Sequence, residues 1–356
     1  MLKMTKNFGR FPMKKVISLI VAMTMLLICA VPVTAFAGQS AHMALAVTED
    51  AEDSAIVAFF KDLFSDIRSF FRGIGFYFEV KSEKVPETMN QNAIHMLKSV
   101  DDTIGDSFII TTEDGKVIVI DGGFKNETDY FVQYLKAVTG QRKPKIDAWF
   151  LSHPHTDHVE VFYEIAKNRA DDVSFDKVLL KYAPYDYYAS MDSEEGAQMV
   201  GEFDRISEAF PEKVQVLSDG DTFSIGAADI TVLYTFDPEY TNVNDSSLIF
   251  RMELGGKSVL FTGDAAVSAG NKVLANPEYK ALLKSDICKM SHHGQDGVSQ
   301  EFYEAVAPEI CLWPTPSWVW DNRNGNLQTL EVRAWIEELG VEKNYLAWEG
   351  SQVIYL

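Results

Sequence analysis

Cysteine is scarce in this sequence. Three occur in 356 residues, at Cys29, Cys288 and Cys311, too few for a fold stapled by a disulfide framework. Basic residues are also few: 32 Lys and Arg face 52 Asp and Glu, a formal charge of −20. That balance excludes a tight, non-specific grip on polyanions, which needs Lys and Arg to neutralise phosphates. Internal repeats and low-complexity tracts are missing, which excludes solenoid and fibrous classes. Long apolar runs are missing too, with one exception, VISLIVAMTMLLICAV from Val16 to Val31. The remaining composition, 47% hydrophobic and 24% charged, is that of an ordinary globular protein.

The apolar run follows Lys3, Lys6, Arg10, Lys14 and Lys15 and precedes Ala35-Phe36-Ala37. A basic region, an apolar region and a small-residue site, in that order, read as a secretory signal peptide over residues 1–37. An uncleaved anchor is disfavoured because the run is short for a membrane span. A lipoprotein reading through Cys29 is disfavoured by bulky Ile28. Cleavage would leave a charge of −25 and only Cys288 and Cys311. Both cysteines lie in apolar runs, DICKM and EICLW, so buried free thiols are expected. The localisation expected is therefore secreted or cell-surface.

Residues 38–54 are polar and acidic and read as a leader. Phe59, Phe60, Leu63, Phe64, Ile67, Phe70 and Phe71 then fall at helical spacing. Such a helix either docks on the main domain or makes membrane-surface contact through residues 55–77. Lys81 to Asn92 reads as a linker. Residues 93–356 form the main domain. Short β-rich runs such as SFIITT, KVIVID and IDAWFLS alternate with helical stretches near 127–137, 159–168, 194–210 and 277–283. The order predicts an α/β (α+β) protein with two sheets covered by helices.

Histidine is rare as well, with seven in the chain, yet His153, His155 and His158 share six positions with Asp157 in HPHTDH. Imidazole nitrogens and carboxylate oxygens are ligands that zinc accepts. His153 and His155 are two apart, so on extended chain they face the same way and can hold one metal. Asp157 and His158 open the next helix and can hold a second. Two more histidines, His292 and His293, follow another strand in KMSHHG. Asp264 in LFTGDA and Asp121 in VIVIDGG each end a strand. His95 reads as an ordinary strand residue and His42 lies in the leader.

These motifs, in this order, resemble the metallo-β-lactamase superfamily. HPHTDH is similar to its HxHxDH signature, and VIVIDGG, LFTGDA and SHHG to its other elements. The finer likeness is to the branch containing the metal domain of ComEC, the competence DNA-uptake protein. It is carried by IGDSFIITTEDGKVIVIDGG, NDSSLIFRMELGGKSVLFTGDA and ICKMSHHGQDGVS. The resemblance implies a four-layer αββα sandwich and two divalent metal ions, zinc first, with manganese or iron as alternatives. It implies His153 and His155 on the first metal, and Asp157, His158 and one of the His292–His293 pair, His292 before His293, on the second. Asp264 would bridge both and Asp121 would orient a ligand histidine. Asn244 stands near where many members have a further histidine; no histidine lies between His158 and Asp264.

The activity implied is hydrolysis by a metal-activated water. Asp157, or the non-ligand histidine of the pair, here His293, would move the proton. The substrate expected is a small phosphodiester, or a phosphocholine-type ester on a cell-surface polymer; the charge argues against long nucleic acid. A nuclease, a lactonase or β-lactam hydrolase, and a non-catalytic ligand-binding module are the alternatives. Tyr182, Tyr185, Tyr187 and Tyr188, and Trp313, Trp318 and Trp320, follow strands. From these loops Tyr185, Trp313 and Trp318 are the candidate substrate contacts, and the bland alternative is loop packing.

Overall fold

Alternate residues of β2 (Ser107–Thr111) and β3 (Val117–Asp121) enter two different cores. Phe108, Ile110, Ile118 and Ile120 point into one cluster, while Ile109, Val117 and Val119 point into another. Two buried faces on one sheet demand a covering layer on each side. The computed structural model describes residues 84–190, 194–239 and 242–356 and shows that arrangement. The expected signal peptide, leader and Phe-rich helix lie outside the described residues.

The first sheet has the order β14-β1-β2-β3-β4-β5-β6. It adds β1 (Ala93–Met96), β4 (Lys145–Leu151), β5 (Ser174–Leu180), β6 (Val214–Val216) and β14 (Gln352–Tyr355). The second has the order β13-β12-β11-β10-β9-β8-β7. It comprises β7 (Thr222–Ile225), β8 (Ala228–Tyr234), β9 (Ile249–Leu254), β10 (Lys257–Phe261), β11 (Ile287–Lys289), β12 (Ile310–Trp313) and β13 (Lys343–Leu346). Strands β3 to β6 run parallel, and so do β10 to β13.

The inner faces meet in an aromatic and aliphatic core, where Phe150 stacks on Phe250 with ring centroids 4.6 Å apart. Helices α1 (Thr128–Thr139), α2 (Thr156–Asn168) and α4 (Glu194–Ser207) cover the first sheet. Trp149 lies beneath them, stacked on Phe131 at 5.3 Å. A short α3 (Tyr185–Ala189) packs beside α4. Helices α5 (Val267–Ala275), α7 (Gln300–Val306) and α9 (Thr329–Glu338) cover the second sheet. Two more short helices are α6 (Pro277–Leu282) and α8 (Ser317–Trp320). The layers are therefore αββα. No helix among the described residues is long and apolar enough to cross a membrane.

Residues 84–92 correct one expectation. They are not a bare linker. Thr88 is fully buried, donates its N–H to Val138 O at 3.0 Å and lies 2.8 Å from His95 Nε2. Val85 and Met89 pack on the first sheet's outer core. Cys288 and Cys311 are buried and free, opposite one another on β11 and β12. Burial pushes the Cys288 thiol up to about 12, so it stays protonated.

Candidate metal centre

The parallel strands place their carboxyl ends together, the usual position for ligands in open α/β sheets. Asp121 ends β3, His153 follows β4, Asp264 follows β10 and His292-His293 follow β11. Asp106 precedes β2, which is antiparallel, so it arrives at the same rim. Three turns of the second sheet are laced together there. Ser291 Oγ donates to Ala265 O at 2.6 Å, and Asp264 N–H donates to Ser247 Oγ at 3.0 Å.

The backbone is strained where it delivers the side chains. Asp121, His292 and His293 have φ of 54°, 48° and 54°. Left-handed φ costs non-glycine residues about 1–2 kcal/mol each. Gly294 continues the turn at φ 75° with no such penalty. A Cβ on Gly294 would also come within 2.4 Å of the Trp313 ring.

Asp157, His158, Asp264 and His293 each offer a ligand atom, and these lie within 4.8 Å of one another. His158 Nε2 and His293 Nε2 both stand 3.1 Å from Asp264 Oδ2. His293 Nε2 is also 3.1 Å from Asp157 Oδ2. Both imidazoles are pinned from behind. His158 Nδ1–H donates to Asp121 Oδ2 at 2.9 Å, and His293 Nδ1–H donates to Pro314 O at 3.0 Å. Ser152 holds Asp121 in turn, donating from N at 2.8 Å and from Oγ at 2.7 Å. This is the outer support that orients metal-binding histidines, and it directs Nε2 inward on each ring.

The group fits divalent metal. His158 Nε2 and His293 Nε2 are fully buried yet make no directed hydrogen bond, although each is in charge contact with Asp264. Buried polar atoms without directed partners are rare in folded proteins and call for an occupant. The electrostatics agree. Burial alone would raise the Asp157 pKa, but His158 and His293 outweigh it and hold it at about 2. Burial alone would lower His293, but Asp264 and Asp157 raise it to about 9. The same opposition holds His158 well above its ordinary value. Protons and metal therefore compete for these nitrogens.

His153 and His155 form a separate pair, with Nε2 of the first 3.0 Å from Nδ1 of the second. They stand outside the four-residue group. Asn244 lies near its expected place, its Nδ2 3.3 Å from His292 Nε2.

Several expectations need correction. His292, not His293, is the outer histidine of the pair. Its Nε2 is 4.0 Å from Asp264 Oδ2, and its side chain is 20% exposed. Its Nδ1 pairs with Asp296. The two left-handed residues turn the rings apart, which a sequence of adjacent histidines does not reveal. Trp313 is a core residue, 1% exposed, with Nε1–H bonded to Asn344 Oδ1 at 2.7 Å. It supports Gly294 from beneath and does not line the cavity beside His292. Tyr185 is 51% exposed on α3, and Trp318 is half-buried on α8. Neither lines the cavity beside His292.

Sequence reasoning missed Lys289 and Asp106. Lys289 Nζ reaches Asp106 Oδ2, lies 3.2 Å from Asp264 Oδ1 and donates to Gly263 O at 2.6 Å. Burial would lower its pKa, but Asp106 and Asp264 raise it above the ordinary value. A lysine inside the otherwise apolar run ICKM was the available signal.

Residues 100–307 match the sequence profile of the metallo-beta-lactamase superfamily. The chain belongs to the metallo-β-lactamase superfamily. Its fold is that of metal-dependent hydrolases, and superfamily membership implies a divalent-metal centre at this rim. ComE operon protein 3 of Bacillus subtilis (strain 168) is 29% identical over 100 residues, which is 28% of this chain and 12% of that protein. The chain thus spans a small part of that relative. CmlA, a diiron β-hydroxylase from Streptomyces venezuelae, is 15% identical, with 77% of this chain and 55% of that one covered, at a TM-score of 0.48. The metallo-β-lactamase-fold protein YhfI from Bacillus subtilis is 12% identical, with 74% and 99% covered, at a TM-score of 0.44.

Proposed function

We propose that this protein is an exported metal-dependent hydrolase of phosphodiesters, acting on small molecules or on esters of a cell-surface polymer. The observation that carries the reading is the convergence of His158 Nε2, His293 Nε2, Asp157 Oδ2 and Asp264 Oδ2, with both imidazoles braced from behind. Bound there, divalent cations supply a water of lowered pKa and positive charge for the attacked group. An imidazole and carboxylate donor set without thiolate suits zinc, with manganese or iron as alternatives. His153 and His155 would hold a second ion.

The chain's own residues divide the remaining work. Asp157 stands inside the cluster, 3.1 Å from His293 Nε2, where it orients and neutralises. His292 is better placed to move protons. It borders the cluster, reaches solvent and is held at Nδ1 by Asp296. The deficit of Lys and Arg supports a small substrate over long nucleic acid. Residues 1–37 support export.

The test is turnover of bis-p-nitrophenyl phosphate by the chain loaded with zinc or manganese. Turnover that stops with chelator and with Asp264→Ala is expected. Absence of both bound metal and turnover in the loaded, folded protein would overturn the reading.

A further inference from the structure

One buried carboxylate has no place in the cluster, yet it joins the segments that deliver the cluster. Glu127 is 5% exposed and ends the short turn Lys125–Glu127 ahead of α1. Its two oxygens serve two different loops. Oε2 accepts the Phe124 N–H at 3.0 Å, in the loop that follows Asp121. Oε1 accepts the Val100 N–H at 2.7 Å, in the loop between β1 and β2. The first bond is local, and the second joins residues 27 apart in the chain.

Glycine makes room for the carboxylate on both sides. A Cβ on Gly123, at φ 96°, would stand 2.1 Å from Glu127 Oε2, and one on Gly105 would stand 3.3 Å from it. These are glycines of DGG and IGDS, so the backbone of both loops closes directly on the carboxyl group. An apolar side chain would fill the same space without the cost of burying a charge. The carboxylate is explained by what its two oxygens hold together.

Each loop runs on to the metal ligands. Past Val100, Asp106 N–H donates to Asp157 O at 3.1 Å, and the Asp106 side chain pairs with Lys289, which contacts Asp264. On the other loop Asp121 braces His158, and Gly123 O accepts Val161 N–H at 3.1 Å from α2, the helix that Asp157 and His158 open. Three of the four residues in the cluster therefore hang on segments that meet at Glu127. We propose that Glu127 is a positioning residue of the metal centre, tying the 98–106 loop to the 122–127 loop so that Asp157, His158 and Asp264 stand ready for metal. The proposal rests on the metal centre and not on the choice of substrate.

Glu127→Gln keeps size and polarity but offers one acceptor where two are needed, and its amide N–H groups face the other peptide N–H. The full chain is compared at pH 8, above the value of about 7 to which burial raises Glu127. In the metal-free variant, amide hydrogen exchange read by mass spectrometry should quicken about tenfold in residues 98–106 or 122–127, the scale of one charge-assisted hydrogen bond. The dissociation constant for zinc, measured by competition with a chromogenic chelator, should rise about tenfold. Glu127→Ala, which joins neither loop, should raise it further. A residue that only fills space would leave the zinc affinity of the folded glutamine variant unchanged. Native zinc affinity in both folded variants, or exchange that quickens evenly along the chain, would overturn the proposal. A native chain that binds no zinc would overturn it together with the hydrolase reading. Zinc binding without turnover of bis-p-nitrophenyl phosphate would count against the phosphodiesterase reading alone.

Discussion

Lys289 Nζ lies 3.2 Å from Oδ1 of Asp264, and both side chains are 2% exposed. The contact divides the carboxylate. Oδ1 belongs to the lysine, and Oδ2 alone faces His158 and His293. Asp106 completes the ion pair on the other side of Lys289. Replacing Lys289 by Met leaves two buried carboxylates without their cation. The metal-free variant should lose about 3–5 kcal/mol of stability, the usual cost of breaking a buried pair from one side. Adding Asp106→Asn should restore part of that loss. Urea unfolding of the single and double variants measures both, and an unchanged midpoint for Lys289→Met would discard the account.

The two adjacent histidines should separate in their effect on metal content. His293→Ala removes a braced, inward nitrogen and should lower metal affinity at least tenfold, the scale seen when the support of a ligand is lost. His292→Ala should keep the metal and slow turnover. Metal analysis after dialysis, beside the rate on bis-p-nitrophenyl phosphate, distinguishes them. Equal loss of metal in both variants would return His292 to the ligand set.

Two buried groups that are not themselves ligands give stability opposite slopes with pH. Burial raises Glu127 from 4.5 to about 7. A carboxyl with a raised folded pKa stabilises below 4.5, and that stability is lost as pH rises toward 7. Burial lowers His95 from 6.5 to about 4. An imidazole held neutral stabilises above 6.5, and that stability is lost as pH falls toward 4. Each contribution is about 3 kcal/mol across its window. Relative to the native chain, Glu127→Gln should gain stability as pH rises from 4.5 to 7, and His95→Gln as pH falls from 6.5 to 4. Thermal melts of the metal-free proteins across pH 4 to 8 would show it; parallel curves for variant and native chain would refute the assignment.

The layers were legible in the sequence because period-two alternation survives in strands buried on both faces. Ile109 and Phe108 differ in destination for that reason alone. Helix α6 was legible too: the helical stretch near 277–283 is Pro277–Leu282, capped by Asn276, whose side chain accepts from Glu278 and Tyr279 N–H. Strand β7 was not, since its four residues alternate between exposed and half-buried and carry little apolar signal. At the site, rare histidines beside strand ends were visible, but ring direction was not. That direction depends on two left-handed residues and on a tryptophan under Gly294, none of which spacing encodes. Lys289 was hidden by the opposite cause: charge inside an apolar run suggests an exposed position, and here two carboxylates from distant segments keep it buried.

The rim draws donors from both halves of the sandwich. Asp157 and His158 extend from the first sheet, Asp264 and His293 from the second. A cation gripped by all four would rivet the halves together at this rim, adding to the Leu248 N–H to Ser152 O bond and the Lys289–Asp106 ion pair that already cross between them. Loading should then protect amides on β4 and β11 alike against exchange, and chelation should let that joint breathe before either sheet unravels.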